Sequence, residues 1–206
     1  MNATEKKGPS FGPNSFVAAS FARGAHDHFA RVLERNGLLD FYAMATRRKA
    51  AGVSEARSRL LPFLGLLNYI GAKSLPPYQS ETFRFRLYTL FDRWVKSQLR
   101  PGQHLLTSYA FVNASMKWTR DHGGKTFLDA GNSHPALFWD LLSEEQKKWE
   151  SPYPPVAPFY NKRCLETVDR TDFVFAQSTF VRDSFLQHGF AANRTFLHTL
   201  PQNLDW

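Results

Sequence analysis

Residues 173–206 read FVFAQSTFVRDSFLQHGFAANRTFLHTLPQNLDW. The stretch opens on a short apolar run, Phe173–Ala176, of strand type. Ser178 follows, then Phe180, Val181, Ser184, Phe185 and His188 recur at helical spacing, and Gly189 stops the helix. A second apolar run, Thr195–Leu200, ends at Pro201. Strand, serine turn, helix, glycine stop and strand make one βαβ unit. The helix carries the chain back to the end at which it started, so the two strands run parallel.

The same alternation is repeated upstream. Phe16–Ser20 reads as a first strand, followed by the turn Phe21–Gly24 and a helix to about Arg35 with Phe29, Val32 and Leu33 on one face. Leu38–Met44 is a second strand. Residues 47–80 read as one or two helices with loops around the apolar stretch Leu60–Ile70. Ser80 then caps a helix over Glu81–Leu99, in which Phe83, Leu87, Leu90, Phe91, Trp94 and Val95 form the buried stripe while Arg84, Arg86, Arg93 and Lys96 face water. His104–Ser108 and Thr126–Ala130 are further strands, each followed by a helix (Ala110–His122 and Ala136–Trp149). A proline-rich loop over 150–158 leads to a helix over Phe159–Val168. Strands alternating with helices give an α/β domain: a Rossmann-like parallel sheet with helices on both faces. Residues 1–13 are read as a flexible tail, 14–200 as the domain and 201–206 as the start of a linker.

Composition excludes several classes. A chain of 206 residues with 43% hydrophobic content can bury one α/β core. No apolar run approaches the roughly 20 residues of a membrane span. One cysteine, Cys164, permits no internal disulfide and no cysteine-cluster metal site. No secretory signal is apparent, and the expected location is cytoplasmic, with peripheral contact at the inner face of a membrane left open. The net charge of +8 favours anionic partners. The positive residues look scattered, with one short run at Arg47–Lys49, which makes nucleic acid an unlikely partner.

Ligands in parallel sheets bind beyond the carboxyl ends of the strands, which directs attention to the strand-to-helix turns. In Ser20–His28 (SFARGAHDH), Gly24 lets a ligand approach the backbone, and Arg23 with the following helix N-terminus makes an anion site. In Asp129–Pro135 (DAGNSHP), Gly131 and Asn132 suit a tight turn, Ser133 is placed to cap the next helix, and His134 is expected to project from the rim. In Gln177–Arg182, Ser178 or Thr179 caps the helix and Arg182 lies on its first turn. His26 and His28 are two apart on a helix and share no face, so no metal is expected.

The closing segment resembles the one that ends the N-terminal domain of GT-B-fold, family 4 retaining glycosyltransferases. Asp172, Ser178, Phe180, Gly189, Pro201, Asn203 and Asp205 match its pattern, with Asn203 at the usual glycine. That family often places a histidine at the turn occupied here by His134. A bacterial variant of its pattern is matched loosely by Ser133, His134, Glu144, Glu145 and Trp149. The resemblance implies His134 as catalytic or donor-contacting, and Arg23, Gly24 and Ala25 as the loop against the donor's diphosphate. Asp27, Asn132, Ser133 and Arg182 become acceptor or cleft residues, although capping and turn roles compete at Asp27 and Asp129.

The resemblance further implies transfer of a sugar, with retention, from a nucleotide-sugar to a glycan, lipid or small-molecule acceptor, without a metal or other cofactor. The family binds the donor mainly through a second domain bearing two glutamates eight apart, a pattern missing from this sequence. The chain is thus expected to be the acceptor half, inactive or weakly active alone. It would be a truncated chain, one subunit that docks a separate donor-binding chain, or a non-catalytic interaction module.

Overall fold

The computed structural model describes residues 11–22, 26–47, 50, 52–150 and 158–198. Seven strands form one sheet: β1 (Phe16–Ser20), β2 (Leu39–Met44), β3 (Ser58–Leu60), β4 (His104–Thr107), β5 (Thr126–Ala130), β6 (Phe173–Ala176) and β7 (Thr195–Leu197). Their order is β3-β2-β1-β4-β5-β6-β7, and every pair is parallel. The helices are α1 (His26–Arg35), α2 (Pro62–Ser74), α3 (Pro77–Gln98), α4 (Asn113–Asp121), α5 (Pro135–Lys148), α6 (Pro158–Asp169) and α7 (Thr179–Gln187). This is the α/β, Rossmann-like architecture with helices on both faces that the alternation predicts.

Side chains alternate across the sheet. Val17, Ala19, Phe41, Ala43 and Leu105 point to one face, where Leu64, Leu87, Phe91, Val95 and Met116 of α2, α3 and α4 cover them. Leu128, Ala130, Val174 and Ala176 continue that face under α6 and α7, against Cys164, Val168, Val181 and Phe185. The opposite face carries Phe16, Ala18, Tyr42, Met44, Leu106 and Phe127, covered by α1 through Ala30, Phe29 and Leu33. Each large side chain so buried contributes roughly 1.5–3 kcal/mol. Phe11 sits within this second cluster, edge-on to Phe16 at 4.9 Å. The ordered domain therefore begins before residue 14; residues 1–10 and 199–206, with most of the expected tail and all of the linker, lie outside the described residues.

The closing βαβ unit is built as read. Ser178 is the N-cap of α7, its hydroxyl accepting from Val181 N at 3.2 Å, and Gly189 takes φ +86° after the helix. Phe180 is exposed, however, and only Val181, Ser184 and Phe185 of the expected stripe are buried.

Other elements depart from the sequence reading. Val32 is solvent-exposed, and Ala30 takes the buried place on α1. The ambiguous region contains β3, an edge strand of three residues too short to show a period. α3 starts at Pro77 rather than after Ser80, since proline is favoured in a first turn, and Ser80 is buried inside the helix. Leu90 is exposed, and Arg84 is half-buried with its Nε shielded from solvent.

α4 is shorter than expected, and its start is set from a distance. Asp92 of α3 is 4% exposed and accepts from Ala114 N at 2.7 Å, Ser115 N at 2.9 Å and Ser115 Oγ at 2.6 Å. A carboxylate from one helix thus satisfies the first free N–H groups of the next. Among the described residues no helix is long and apolar enough to cross a membrane. Asp92→Ala is expected to lower stability by roughly 2–3 kcal/mol, because a cap is lost and buried donors are left without acceptors. Urea unfolding monitored by tryptophan fluorescence measures this, and an unchanged midpoint contradicts the capping role.

Candidate functional site

Because all strands are parallel, their carboxyl ends share one rim. The sheet order reverses direction between β1 and β4, and such a switch point opens a crevice where the flanking loops part. The chain crosses from β3 back to β4 through α2 and α3, which places α2 against the rim. A cleft of about 450 Å³ lies there, lined by Phe21 and Ala22 after β1, Ala45, Thr46 and Arg47 after β2, and Pro62, Gly65, Leu66, Asn68 and Tyr69 of α2.

Gly65 makes this close seating possible: a Cβ there would stand 2.1 Å from the carbonyl oxygen of Ala45. The lining combines two aromatic rings with a guanidinium, a carboxamide and a hydroxyl. Such a mixture suits a polar ligand with apolar faces.

Only the start of the turn after β1, Phe21 and Ala22, is described at this cleft. Arg23, Gly24 and Ala25 lie outside the described residues. Ser20 Oγ donates to the carbonyl of Ala22, shaping the approach to that turn. Asp27, on the first turn of α1, accepts from Tyr42 Oη at 2.8 Å. Burial, and then the neighbouring Asp27 carboxylate, raise the Tyr42 pKa far above its usual value, so the phenol stays a donor. That bond fixes α1 on β2, a structural use of the carboxylate.

The turn after β4 is held rigidly. Ala110 has φ +65°, unusual for a residue with a Cβ. Its carbonyl accepts from Arg163 Nη2 at 2.8 Å and Nε at 3.0 Å, and its N–H donates to Thr167 Oγ1 at 3.0 Å. Thr167 Oγ1 donates in turn to Asn113 Oδ1 at 2.7 Å. α6 thus pins a backbone conformation that an isolated turn would abandon.

The turn after β5 differs from expectation. His134, not Ser133, is the N-cap of α5, its Nδ1 accepting from Ala136 N at 3.3 Å. The ring does not project from the rim. It is 8% exposed, stacked on His188 at 4.1 Å and edge-on to Phe185 at 5.3 Å, while its backbone N–H donates to Ser184 Oγ at 2.8 Å. Burial, and secondarily the neighbouring His188, push its pKa down to about 4. With Nδ1 serving as acceptor, the proton of the neutral ring sits on Nε2.

Asn132 is exposed and Ser133 buried, and their carbonyls accept from Tyr109 Oη at 3.2 and 3.3 Å. The space they border with Tyr160 and Cys164 is about 20 Å³, room for one water and not for a sugar ring. Asp129 is fully buried and accepts from Gln177 Nε2 at 3.0 Å, tying the β5 turn to the β6 turn. Glu144, Glu145 and Trp149 face solvent along α5, with Glu145 paired to Lys148, and do not gather around His134. Arg182 is turned onto Asp183 at 2.8 Å and is not among the residues lining the cleft beside α2. Burial pushes the Cys164 thiol up to about 12, which leaves it inert. Among the described residues no group of three or more His, Cys, Asp or Glu could hold a metal ion.

Thr46, Arg47, Asn68 and Tyr69 were not singled out as site residues from sequence. Two signals pointed to them: the basic run beginning at Arg47, and the lone asparagine in the otherwise apolar stretch that became α2.

No protein-family model matches the chain, and no curated protein matches it in sequence. Solved structures do. An α,α-trehalose-phosphate synthase (UDP-forming) from Burkholderia vietnamiensis is 10% identical and superposes over 91% of this chain and 48% of its own, with TM-score 0.51. A UDP-forming synthase of the same name from Burkholderia xenovorans is 12% identical, over 91% and 48%, with TM-score 0.49. At such identities the likeness concerns the fold, and the first of the two supports it: the chain has a GT-B glycosyltransferase-like fold. The chain spans about half the length of these neighbours.

Because the folded pKa of His134 is depressed, its contribution to stability is fully present above pH 6.5 and is lost as pH falls toward about 4. The urea midpoint is therefore expected to drop across that window, and His134→Gln to flatten the drop. An identical pH profile in the variant removes His134 from the titration.

Proposed function

We propose that this chain is the acceptor-side domain of a retaining glycosyltransferase similar to family 4. The observation that carries the reading is the cleft beside the switch point, on the carboxyl ends of β1 and β2, in a GT-B glycosyltransferase-like fold. The acceptor, a glycan, lipid or small molecule, occupies that cleft, with Tyr69 and Phe21 against its apolar faces and Arg47, Thr46 and Asn68 bonded to its oxygens. The donor is a nucleotide-sugar held mainly by a second domain or partner chain. Its diphosphate lies against Arg23, Gly24 and Ala25, and its sugar lies along the rim toward the β5 turn. Two strand spacings separate β1 from β5, roughly 10 Å, close to the reach of a sugar diphosphate.

In the transfer, the bond from the anomeric carbon to the leaving phosphate oxygen breaks, and a bond to the acceptor oxygen forms on the same face. The acceptor's hydroxyl proton passes to the leaving phosphate. The protein supplies orientation and charge stabilisation rather than a strong base. His134, neutral and buried against His188 and Phe185, shapes the β5 turn beside the sugar rather than acting as a general base.

Saturation-transfer NMR on the purified chain tests this reading with a panel of neutral sugars and sugar phosphates. Weak binding is expected, reduced roughly tenfold by Arg47→Ala or by Tyr69→Ala, which remove a charge-assisted contact and a stacking face. Failure of every saccharide to bind a folded chain overturns it. Turnover of a nucleotide-sugar by this chain alone at about 1 s⁻¹ or faster overturns the division between two domains.

A further inference from the structure

α2 and α3 present a surface unlike the rest of the molecule. On α2, Phe63 and Tyr69 are each 62% exposed and Ile70 is 48% exposed; beside them on α3, Leu90 is 48% exposed. Helical spacing puts Pro62, Phe63, Leu66, Tyr69 and Ile70 within one arc of α2, the side opposite buried Leu64 and Gly71. That arc holds one charged residue, Lys73. Gly71 brings the two helices together, since a Cβ there would stand 2.5 Å from the Phe83 ring. On the outer face of α3, Arg86, Leu90 and Arg93 form one stripe at i, i+4 and i+7.

Part of the charge that looked scattered along the chain borders this face. Residues 56–100 hold eight Arg and Lys against two acids, Glu81 and Asp92; Arg57 and Arg100 pair with Asp40, Arg59 lies over Phe41 and Arg84 is half-buried, while Asp92 is buried in the cap of α4. Lys73, Arg86 and Arg93 are all exposed, and among the described residues none of the three is in an ion pair. Lone exposed apolar side chains need no explanation, but a contiguous group edged by unpaired cations does.

We propose that the outer face of α2 and α3 docks on an anionic lipid surface. Phe63, Ile70 and Leu90 enter the interface between headgroups and acyl chains, while Lys73, Arg86 and Arg93 meet lipid phosphates. An interfacial helix needs an apolar side and flanking cations, and this face supplies both. Leu66 and Tyr69 belong both to this face and to the wall of the cleft, so the cleft mouth opens beside the bilayer. The inference rests on exposure and charge alone and stands whether or not the chain takes part in sugar transfer.

The test is co-sedimentation of the full chain with phosphatidylcholine vesicles, with and without phosphatidylglycerol. Binding is expected only with phosphatidylglycerol and should fall as salt rises. Arg86→Gln/Arg93→Gln is expected to weaken it roughly 30-fold, two cations at the surface contribution typical of a basic residue. Phe63→Ser/Ile70→Ser is expected to weaken it roughly tenfold or more. Both pairs are exposed, and circular dichroism checks that each variant folds. Three results overturn the proposal: no binding to either vesicle, equal binding to both, or a concentration-dependent dimer in light scattering that Phe63→Ser/Ile70→Ser abolishes. The last would assign the face to a second copy of the chain.

Discussion

Every strand of the sheet runs in the same direction, and the rest of the molecule follows from that constraint. A parallel strand can be reached only by a crossover, so each connection must travel the length of the domain and pack on a face of the sheet. All strand-to-helix turns consequently gather on one rim. The connection from β3 to β4 reverses the order of strands and is made of α2 and α3, which together form the cleft wall and an outer surface.

Close packing keeps this arrangement in place. α2 touches the carbonyl of Ala45 through Gly65 and the ring of Phe83 through Gly71, contacts that a methyl group would block. α3 is tied to α4 by the Asp92 carboxylate, and α6 clamps Ala110 in the turn after β4. The Asp92 and α6 links use a charge or hydroxyl to satisfy backbone groups that would otherwise be buried alone. The rim is therefore rigid on the β4 side.

The local chemistry of the turns was legible, and its three-dimensional use was less so. Ser178 caps α7 as its position before a helical pattern suggests. At the β5 turn Ser133 was expected to cap α5, and His134 does so instead. The ring expected at the rim is packed on Phe185 and His188. Arg84 was read as solvated from its distance to the apolar stripe, yet α3 is long enough for neighbouring elements to cover that side as well.

Periodicity and turn residues, read one segment at a time, were sufficient to establish the fold class, the strand at Thr126–Ala130 and the closing βαβ unit. Those are short-range properties: hydrophobic spacing, a glycine that accepts positive φ, a serine ahead of a helix. Tertiary structure decided which turns share a cleft, that α2 is its wall, and that Lys73 of α2 and Arg86 and Arg93 of α3 edge the same exposed apolar group. Adjacency along the rim depends on strand order. Strand order is chosen by the burial of both sheet faces at once, a global balance that no window of sequence contains.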